Sequence, residues 1–401
     1  MSKVYIVAAK RTAVGSFLGS LSNVSPSEFG AKVVQQLIED TKIDPNVIDE
    51  VISGNILPAG QGQGIGRQVS IKAGIPHHVP GYAVNMVCGS GMKAIMDAYL
   101  KIQVGWANLI IAGGTESMSQ APHLLPAKGR SGYKMGNLEV IDHMIYDALT
   151  DAYDGIHMGI TAENIADKHH ITREEQDAFA FNSQSKAIKS VDEGRFDDEV
   201  VGIEVKIGKE VVMFNKDEYP NRKTSLEKLA TLRPAFKKDG SVTAGNASGI
   251  NDGAAYVMVA SEEAVKKYNL VPLVEIIGVG QKGVDPKVMG LGPVGAVKDV
   301  LARTNLSLND MDLLELNEAF AAQSLGVVKE LAEDLNVDYQ QILDKTNVNG
   351  GAIAIGHPVG ASGARITVTL IHEMKKRNSQ LGLASLCIGG GMGTAIIVKN
   401  V

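Results

Sequence analysis

Asn85-Met-Val-Cys88-Gly-Ser-Gly91-Met-Lys-Ala places a cysteine where an apolar, strand-like run, Tyr82 to Val87, meets a helix-like one, Met92 to Gln103. A thiol at the mouth of a helix feels the free N–H groups of the first turn and the positive end of the helix dipole, and both favour thiolate over thiol. Cys88 is therefore expected to be a nucleophile. Glycines 89 and 91 fit that placement, because a sharp strand-to-helix turn needs relaxed backbone and room for a substrate beside it. On this pattern alone, a buried cysteine acting as a small hydrophobe fits equally well.

Upstream, Val4 to Ala9 reads as an apolar strand, Ser27 to Thr41 as a helix after a Ser-Pro-Ser start, and Glu50 to Asn55 as a second strand. Downstream, Ala107 to Ala112 reads as a further strand closed by Gly113-Gly-Thr-Glu-Ser-Met118. Alternation of this kind predicts an α/β fold with a mainly parallel sheet and helices on both faces. Gly60-Gln-Gly-Gln-Gly-Ile-Gly66 suggests dinucleotide binding, but its glycines strictly alternate and no frame gives G-x-G-x-x-G. It is read as a loop leading into a helix over 68–73.

From 119 to 251 the apolar runs shorten and charge rises, which predicts an inserted helical and loop-rich domain over the site. Thr172-Arg-Glu-Glu175 matches a capping box for a helix stopping at Gly194. The insert ends in a run of small residues, Thr243-Ala-Gly-Asn-Ala-Ser-Gly249, also readable as a flexible hairpin loop. An apolar strand over 254–260 then returns to the sheet. Beyond Pro272 the first part repeats. Glu50-Val-Ile-Ser-Gly-Asn55 pairs with Asp312-Leu-Leu-Glu-Leu-Asn317, Ser90-Gly-Met-Lys93 with Ser362-Gly-Ala-Arg365, and Ile111-Ala-Gly-Gly114 with Cys387-Ile-Gly-Gly390. The expected division is an N-terminal half, 1–118 with 252–272, the insert 119–251, and a C-terminal half, 273–401. A site using both cysteines would lie where the halves meet.

The 401 residues suffice for two or three domains, and a net charge of -6 offers no basic field for nucleic acid or an anionic membrane. The start, Met-Ser-Lys-Val-Tyr-Ile, lacks the layout of a signal peptide, and no apolar run reaches membrane-spanning length, so a cytoplasmic protein is expected. Two cysteines, Cys88 and Cys387, form no disulfide framework and are too few for a zinc site without histidines at ligand spacing.

Three stretches of the second half are rich in small and reactive residues: Asn317-Glu-Ala-Phe320, Asn349-Gly-Gly-Ala-Ile-Ala-Ile-Gly-His357-Pro, and Cys387-Ile-Gly-Gly-Gly-Met-Gly393. Each alone has an ordinary reading, such as Asn317 capping a helix that starts at Glu318, or His357 as a satisfied turn histidine. Taken with Asn85-x-x-Cys88-Gly-Ser-Gly91, they resemble the thiolases, most closely the short-chain acetyl-CoA C-acetyltransferases. The resemblance runs nearly end to end, including Ala9-x-Arg11-Thr12 and His157-Met158-Gly159.

The resemblance implies a thiolase fold of two similar halves in αβαβα layers, and a homotetramer or dimer. It implies condensation of two acetyl-CoA to acetoacetyl-CoA and CoA, with Cys88 carrying the acetyl group and Cys387 acting as base toward the second acetyl-CoA. His357 would take the Cys88 proton and form one oxyanion hole with a water held by Asn317. The backbone N–H groups of Cys88 and Gly389 would form the other. Ser248 and Ala244 would contact the pantetheine arm, with Leu149, His157, Met289, Phe236 and Phe320 lining the pocket. No cofactor or metal is expected. The rival readings are a degradative 3-ketoacyl-CoA thiolase and a non-catalytic acyl-CoA or lipid carrier on the same fold.

Overall fold

The computed structural model describes residues 3–401. Met1 and Ser2, with which the reading of the N-terminus began, lie outside the described residues. Nine strands form the central sheet: β1 (Val4–Thr12), β2 (Glu50–Gly54), β3 (Gly81–Val84), β4 (Leu109–Ser117), β5 (Asn251–Ser261), β6 (Val274–Gly283), β7 (Leu313–Leu316), β8 (Leu381–Ile388) and β9 (Met392–Asn400). Their order is β7-β8-β9-β6-β1-β5-β4-β2-β3, with two-residue strands at Gly15–Ser16 and Val200–Val201 beside it. Pairing is mixed. The outer ladders β3/β2/β4 and β7/β8 are parallel, whereas β4/β5, β5/β1, β6/β9 and β8/β9 are antiparallel. Within the sheet the two halves meet at two residue pairs of β1 and β6, Tyr5 with Glu275 and Ile6 with Val274.

Helices α1 (Pro26–Thr41), α2 (Ser90–Gln103), α3 (Gly292–Thr304) and α4 (Val359–Arg377) build the layers. α1 packs on the outer face of the N-terminal strands and α3 on that of the C-terminal strands, while α2 and α4 pack against each other and against strands of both halves. A helix that is apolar or small on every side belongs in the interior, and α4 buries 15 of its 19 residues. One core joins Val4, Ile6, Val257 and Met92 of the first half to Ile366, Leu386, Ile396 and Val398 of the second. The layered α/β architecture expected from the sequence is thus present.

Gly113 and Gly114 do not close a strand as expected; β4 runs through them to Ser117. A side chain at Gly113 would run into the β5 backbone at Ala255 and Tyr256, and one at Gly114 into the Gly360 carbonyl at the start of α4. These glycines permit close approach rather than a turn. The first two repeat pairings fall on equivalent elements, the starts of β2 and β7 and the first turns of α2 and α4. The third requires correction. Val51 pairs with Ile111 and Leu313 with Gly382, so Ile111 corresponds to Gly382 (382 - 111 = 271) and Cys387 to Glu116 (387 - 271 = 116). The glycine pairs had drawn the alignment off by five residues, whereas the hydrogen-bonded ladder fixes the register.

The segment between β4 and β5 holds helices Met158–His169 and Arg173–Asp192 and a hairpin of Ile203–Ile207 with Glu210–Phe214. The Thr172 and Glu175 capping box is formed, and Gly194 follows the helix with φ 67°. Arg11 of β1 ties this segment down through buried ion pairs, at 2.5 Å to Glu199 and at 2.7 and 2.9 Å to the two oxygens of Asp217.

Candidate active site

Cys88 lies between β3 and α2. The strand ends at Val84, shorter than the run to Val87 suggested, and residues 85–89 form a tight turn. Val87 takes φ 45°, a conformation that β-branched residues rarely adopt, and so turns Cys88 out of the strand direction. The turn closes on itself. Val87 N donates to Asn85 Oδ1 (3.0 Å), Met86 N donates to Ser90 Oγ (2.8 Å), and Ser90 Oγ donates to the Val87 carbonyl (2.7 Å).

His357 occupies the matching end of the other central helix, two residues before α4. Its backbone N–H donates to Asn251 Oδ1 (2.9 Å), and its Nδ1 lies 2.6 Å from Ser362 Oγ. Cys387 is the second-last residue of β8 and fully buried. Cys88, His357 and Cys387 line one cavity of about 490 Å³, together with Ser248, Ala244, His157, Leu149, Met289, Phe236 and Phe320. Ten of the twelve residues singled out in the sequence therefore converge there. The other two are not part of the lining. Gly389 N–H reaches the Cys88 thiol, and Asn317 is buried with both side-chain polar atoms free of any partner among the described residues.

Electrostatics contradict one sequence expectation. Burial pushes the Cys88 thiol up to about 11, only partly offset by hydrogen bonds from the Gly389 and Cys88 backbone N–H groups, while the Glu116 carboxylate pushes it further up. Enclosure outweighs the helix start, so the resting group is a thiol. Cys387 is pushed up by burial and by the neighbouring Cys88. His357 falls to about 3 through burial and then the Arg365 charge, so its resting imidazole is neutral.

Part of the cavity wall is aromatic. His157 accepts from Gly159 N at 3.0 Å and stacks on Phe236 with centroids 4.6 Å apart; Phe236 meets Phe320 edge-on at 6.2 Å. Any side chain at Gly159 would collide with the Phe236 ring. The small-residue run docks rather than swings free, since Ser248 N donates to Ala319 O and Ala321 N to Asn246 O, both at 2.9 Å. Asn317 does not cap a helix at Glu318. The helix starts at Ala321, and Glu318 is held in the interior by Ser183 Oγ (2.6 Å), Asn347 Nδ2 (2.9 Å) and Ile353 N (3.2 Å).

Family models of the thiolase N-terminal and C-terminal domains match residues 4–263 and 270–400. The chain belongs to the thiolases. An acetyl-CoA acetyltransferase of Pseudomonas aeruginosa is 52% identical over 401 residues, and one of Chromobacterium violaceum 51% over 399, each match covering at least 99% of both chains. Among solved structures, acetyl-CoA acetyltransferase from Syntrophomonas wolfei superposes with TM-score 0.96 at 43% identity, covering all of both chains. Human mitochondrial 3-ketoacyl-CoA thiolase superposes with TM-score 0.94 at 42% identity, covering 100% of this chain and 99% of that one.

Sequence reading missed several residues that hold this thiolase's site. Glu116 is fully buried and accepts from Asn55 Nδ2 (3.0 Å), Ile56 N (2.9 Å), Leu57 N (3.2 Å) and Gly360 N (3.0 Å), fastening the start of α4 to the N-terminal half. Tyr219 lines both the cavity of Cys88 and an outer one of about 780 Å³, which shares Ser16 and Ala244 and carries Arg222, Lys223 and Lys228. Tyr-Pro-Asn-Arg-Lys, 219–223, was a legible basic signal beside the small-residue run.

Proposed function

We propose that this thiolase catalyses the reversible condensation of two acetyl-CoA into acetoacetyl-CoA and CoA through an acetyl thioester on Cys88. The observation that carries the reading is the convergence of both cysteines and His357 on one enclosed cavity. The chemistry closes with these groups. Cys88 sulfur attacks the thioester carbon while His357 takes its proton, and Cys387 gives its proton to the departing CoA sulfur. That leaves imidazolium and a Cys387 thiolate. The thiolate removes a proton from the methyl carbon of the second acetyl-CoA, and the resulting carbanion attacks the acetyl-Cys88 carbonyl. Cys88 leaves and recovers its proton from His357, so no group ends the cycle changed.

Oxyanion stabilisation is assigned to two places: Gly389 and Cys88 N–H for the tetrahedral intermediates, and His357 with the Asn317 amide for the enolate. Asn317 is a buried amide whose side chain is unpaired among the described residues, which suits a group that meets water or substrate. In the acyl region, Met289 and Phe320 line the cavity with Cys387 and share its buried cluster, while Met118, Ala148 and Leu149 belong to the cluster that includes Cys88. The outer cavity suits the nucleotide of CoA, its three basic side chains facing the phosphates.

Intact-mass measurement after mixing with acetyl-CoA tests the reading. One acetyl group should be gained by the native chain and none by Cys88→Ala; no gain in either would return the non-catalytic carrier. The human neighbour favours a second reading, a thiolase of longer 3-ketoacyl-CoA. Packing extra methylenes into filled space costs about 1–3 kcal/mol. Acetoacetyl-CoA should therefore be cleaved roughly five- to a hundredfold better than longer homologues. Met289→Ala should narrow the gap, and comparable kcat/KM for an eight-carbon substrate would decide for the second reading.

Cytoplasmic location and a homo-oligomer, dimer or tetramer, belong to the same proposal. Among the described residues no helix is long and apolar enough to cross a membrane. Exposed Leu125, Met135, Leu138 and Val140 favour assembly. Light scattering at working concentration checks the mass.

A further inference from the structure

A neutral imidazole carries its proton on one of two nitrogens, and the partner of one nitrogen decides what the other can do. His357 Nδ1 lies 2.6 Å from Ser362 Oγ. The same Oγ lies 2.9 Å from the carbonyl oxygen of Pro358, four residues back at the start of α4. A serine hydroxyl has one hydrogen, and a carbonyl only accepts. If the hydroxyl gave its hydrogen to Nδ1, two oxygen lone pairs would face each other at 2.9 Å in a site where Ser362 is 0% exposed. Given to Pro358 instead, the hydrogen joins that of Ala361 N, 2.8 Å away, on the carbonyl oxygen and turns a hydroxyl lone pair toward Nδ1, which must then supply the ring proton.

We infer that Ser362 is a positioning residue that holds His357 in the Nδ1–H tautomer and leaves the Nε2 lone pair to the cavity, where Cys88 gives up its proton. This rests on the reading of His357 as the base for Cys88. The choice of a hydroxyl has a consequence that a carboxylate would not share. A carboxylate at Nδ1 would stabilise imidazolium at rest, whereas serine orients the ring without adding charge. That agrees with the neutral resting imidazole next to the Arg365 charge. When Nε2 takes the thiol proton, Nδ1–H still donates to the same oxygen, so nothing behind the ring rearranges during the transfer.

The test is ¹⁵N spectroscopy of protein labelled at its nine histidines, with His357 assigned by difference from His357→Gln. The resting enzyme at neutral pH should show protonated Nδ1 and unprotonated Nε2. Ser362→Ala should lose that signature and slow Cys88 acetylation by about ten- to a hundredfold, part of what a positioned base contributes, with KM for acetyl-CoA within about threefold. Ser362→Thr keeps the hydroxyl and should recover the signature and most of the rate. An Nε2–H form in the resting enzyme overturns the inference, as does a Ser362→Ala protein that retains Nδ1–H, or a folded Ser362→Thr no better than alanine. Should Ser362→Ala not fold, the native spectrum alone decides. If His357→Gln is acetylated at the native rate, the reading of His357 as base falls, while the tautomer is still settled by the spectrum.

Discussion

The two central helices begin in equivalent places of a duplicated scaffold, yet their starts are held in opposite ways. At α2 the turn bearing Cys88 is tied to itself, through Asn85, Ser90 and the strained Val87. At α4 the start bearing His357 is tied to distant strands, through Asn251 of β5 and through Glu116 of β4, which accepts from Gly360 N. In the mechanism proposed above, a nucleophile that gains and loses an acyl group can sit on a self-contained turn. The base that serves it needs a position fixed by the rest of the fold. Register adds a second contrast. Glu116 occupies in the first half the place that Cys387 occupies in the second. One half puts a hydrogen-bonded carboxyl there and the other a thiol in the cavity wall.

The strongest way to break the comparison is to exchange what each half contributes. Cys88→Ser should abolish or nearly abolish acetyl-enzyme formation. Cys387→Ala should still be acetylated by acetyl-CoA, with His357 passing the Cys88 proton to the departing CoA sulfur in place of Cys387, yet lose condensation and thiolysis by at least about a hundredfold, the scale of lost acid–base catalysis. Quench and intact-mass analysis separates the two outcomes. Equal loss of acetylation in both variants would remove the division of labour.

The convergence of Cys88, His357 and Cys387 on one cavity was largely legible because the motifs are local. Asn85 to Gly91, Asn317 to Phe320, Gly356 to Pro358 and Cys387 to Gly393 each carry their chemistry within a few residues. Strand and helix order could be read from apolar periodicity as well. The anchors were not legible. Asn251 and Glu116 act on residues more than a hundred positions away, and only the sheet brings them together. The pKa of Cys88 was misjudged for a related reason: a helix start is visible in sequence, whereas enclosure by residues from both halves is not.

The anchors provide the next test. Asn251→Ala leaves the His357 N–H without its partner in the interior and takes one donor from the buried Gly15 carbonyl, and each such loss costs about 1–3 kcal/mol. Ser90→Ala orphans chiefly the Met86 N–H, since Ser90 N also donates to the Val87 carbonyl. Urea unfolding should therefore show Asn251→Ala losing about 2–4 kcal/mol and Ser90→Ala about half that. Acetylation should slow by about tenfold in Asn251→Ala as the base drifts. A larger stability loss in Ser90→Ala would reverse the assignment of which start depends on the fold.

The smallest expected effect is a near absence of one. Burial, followed by the Arg365 charge, holds His357 at about 3, and burial holds Cys88 at about 11, so neither changes protonation in mildly acidic solution. Imidazole is the competent base in its neutral form, which prevails above its pKa; a depressed pKa therefore extends activity toward acid. Between about pH 5 and pH 6 the Cys88 acetylation rate should change by less than about twofold, whereas an unshifted histidine near 6.5 would cost about eightfold on the same descent. The window lies below the Glu116 carboxyl, itself pushed up to about 7 by burial, so that group stays mostly protonated throughout. Stopped-flow acetylation in buffers of constant ionic strength makes the measurement. A rate that follows a single ionisation near 6.5 would mean that His357 is solvated in the working enzyme, and that the start of α4 is not the fixed, enclosed partner of the Cys88 turn.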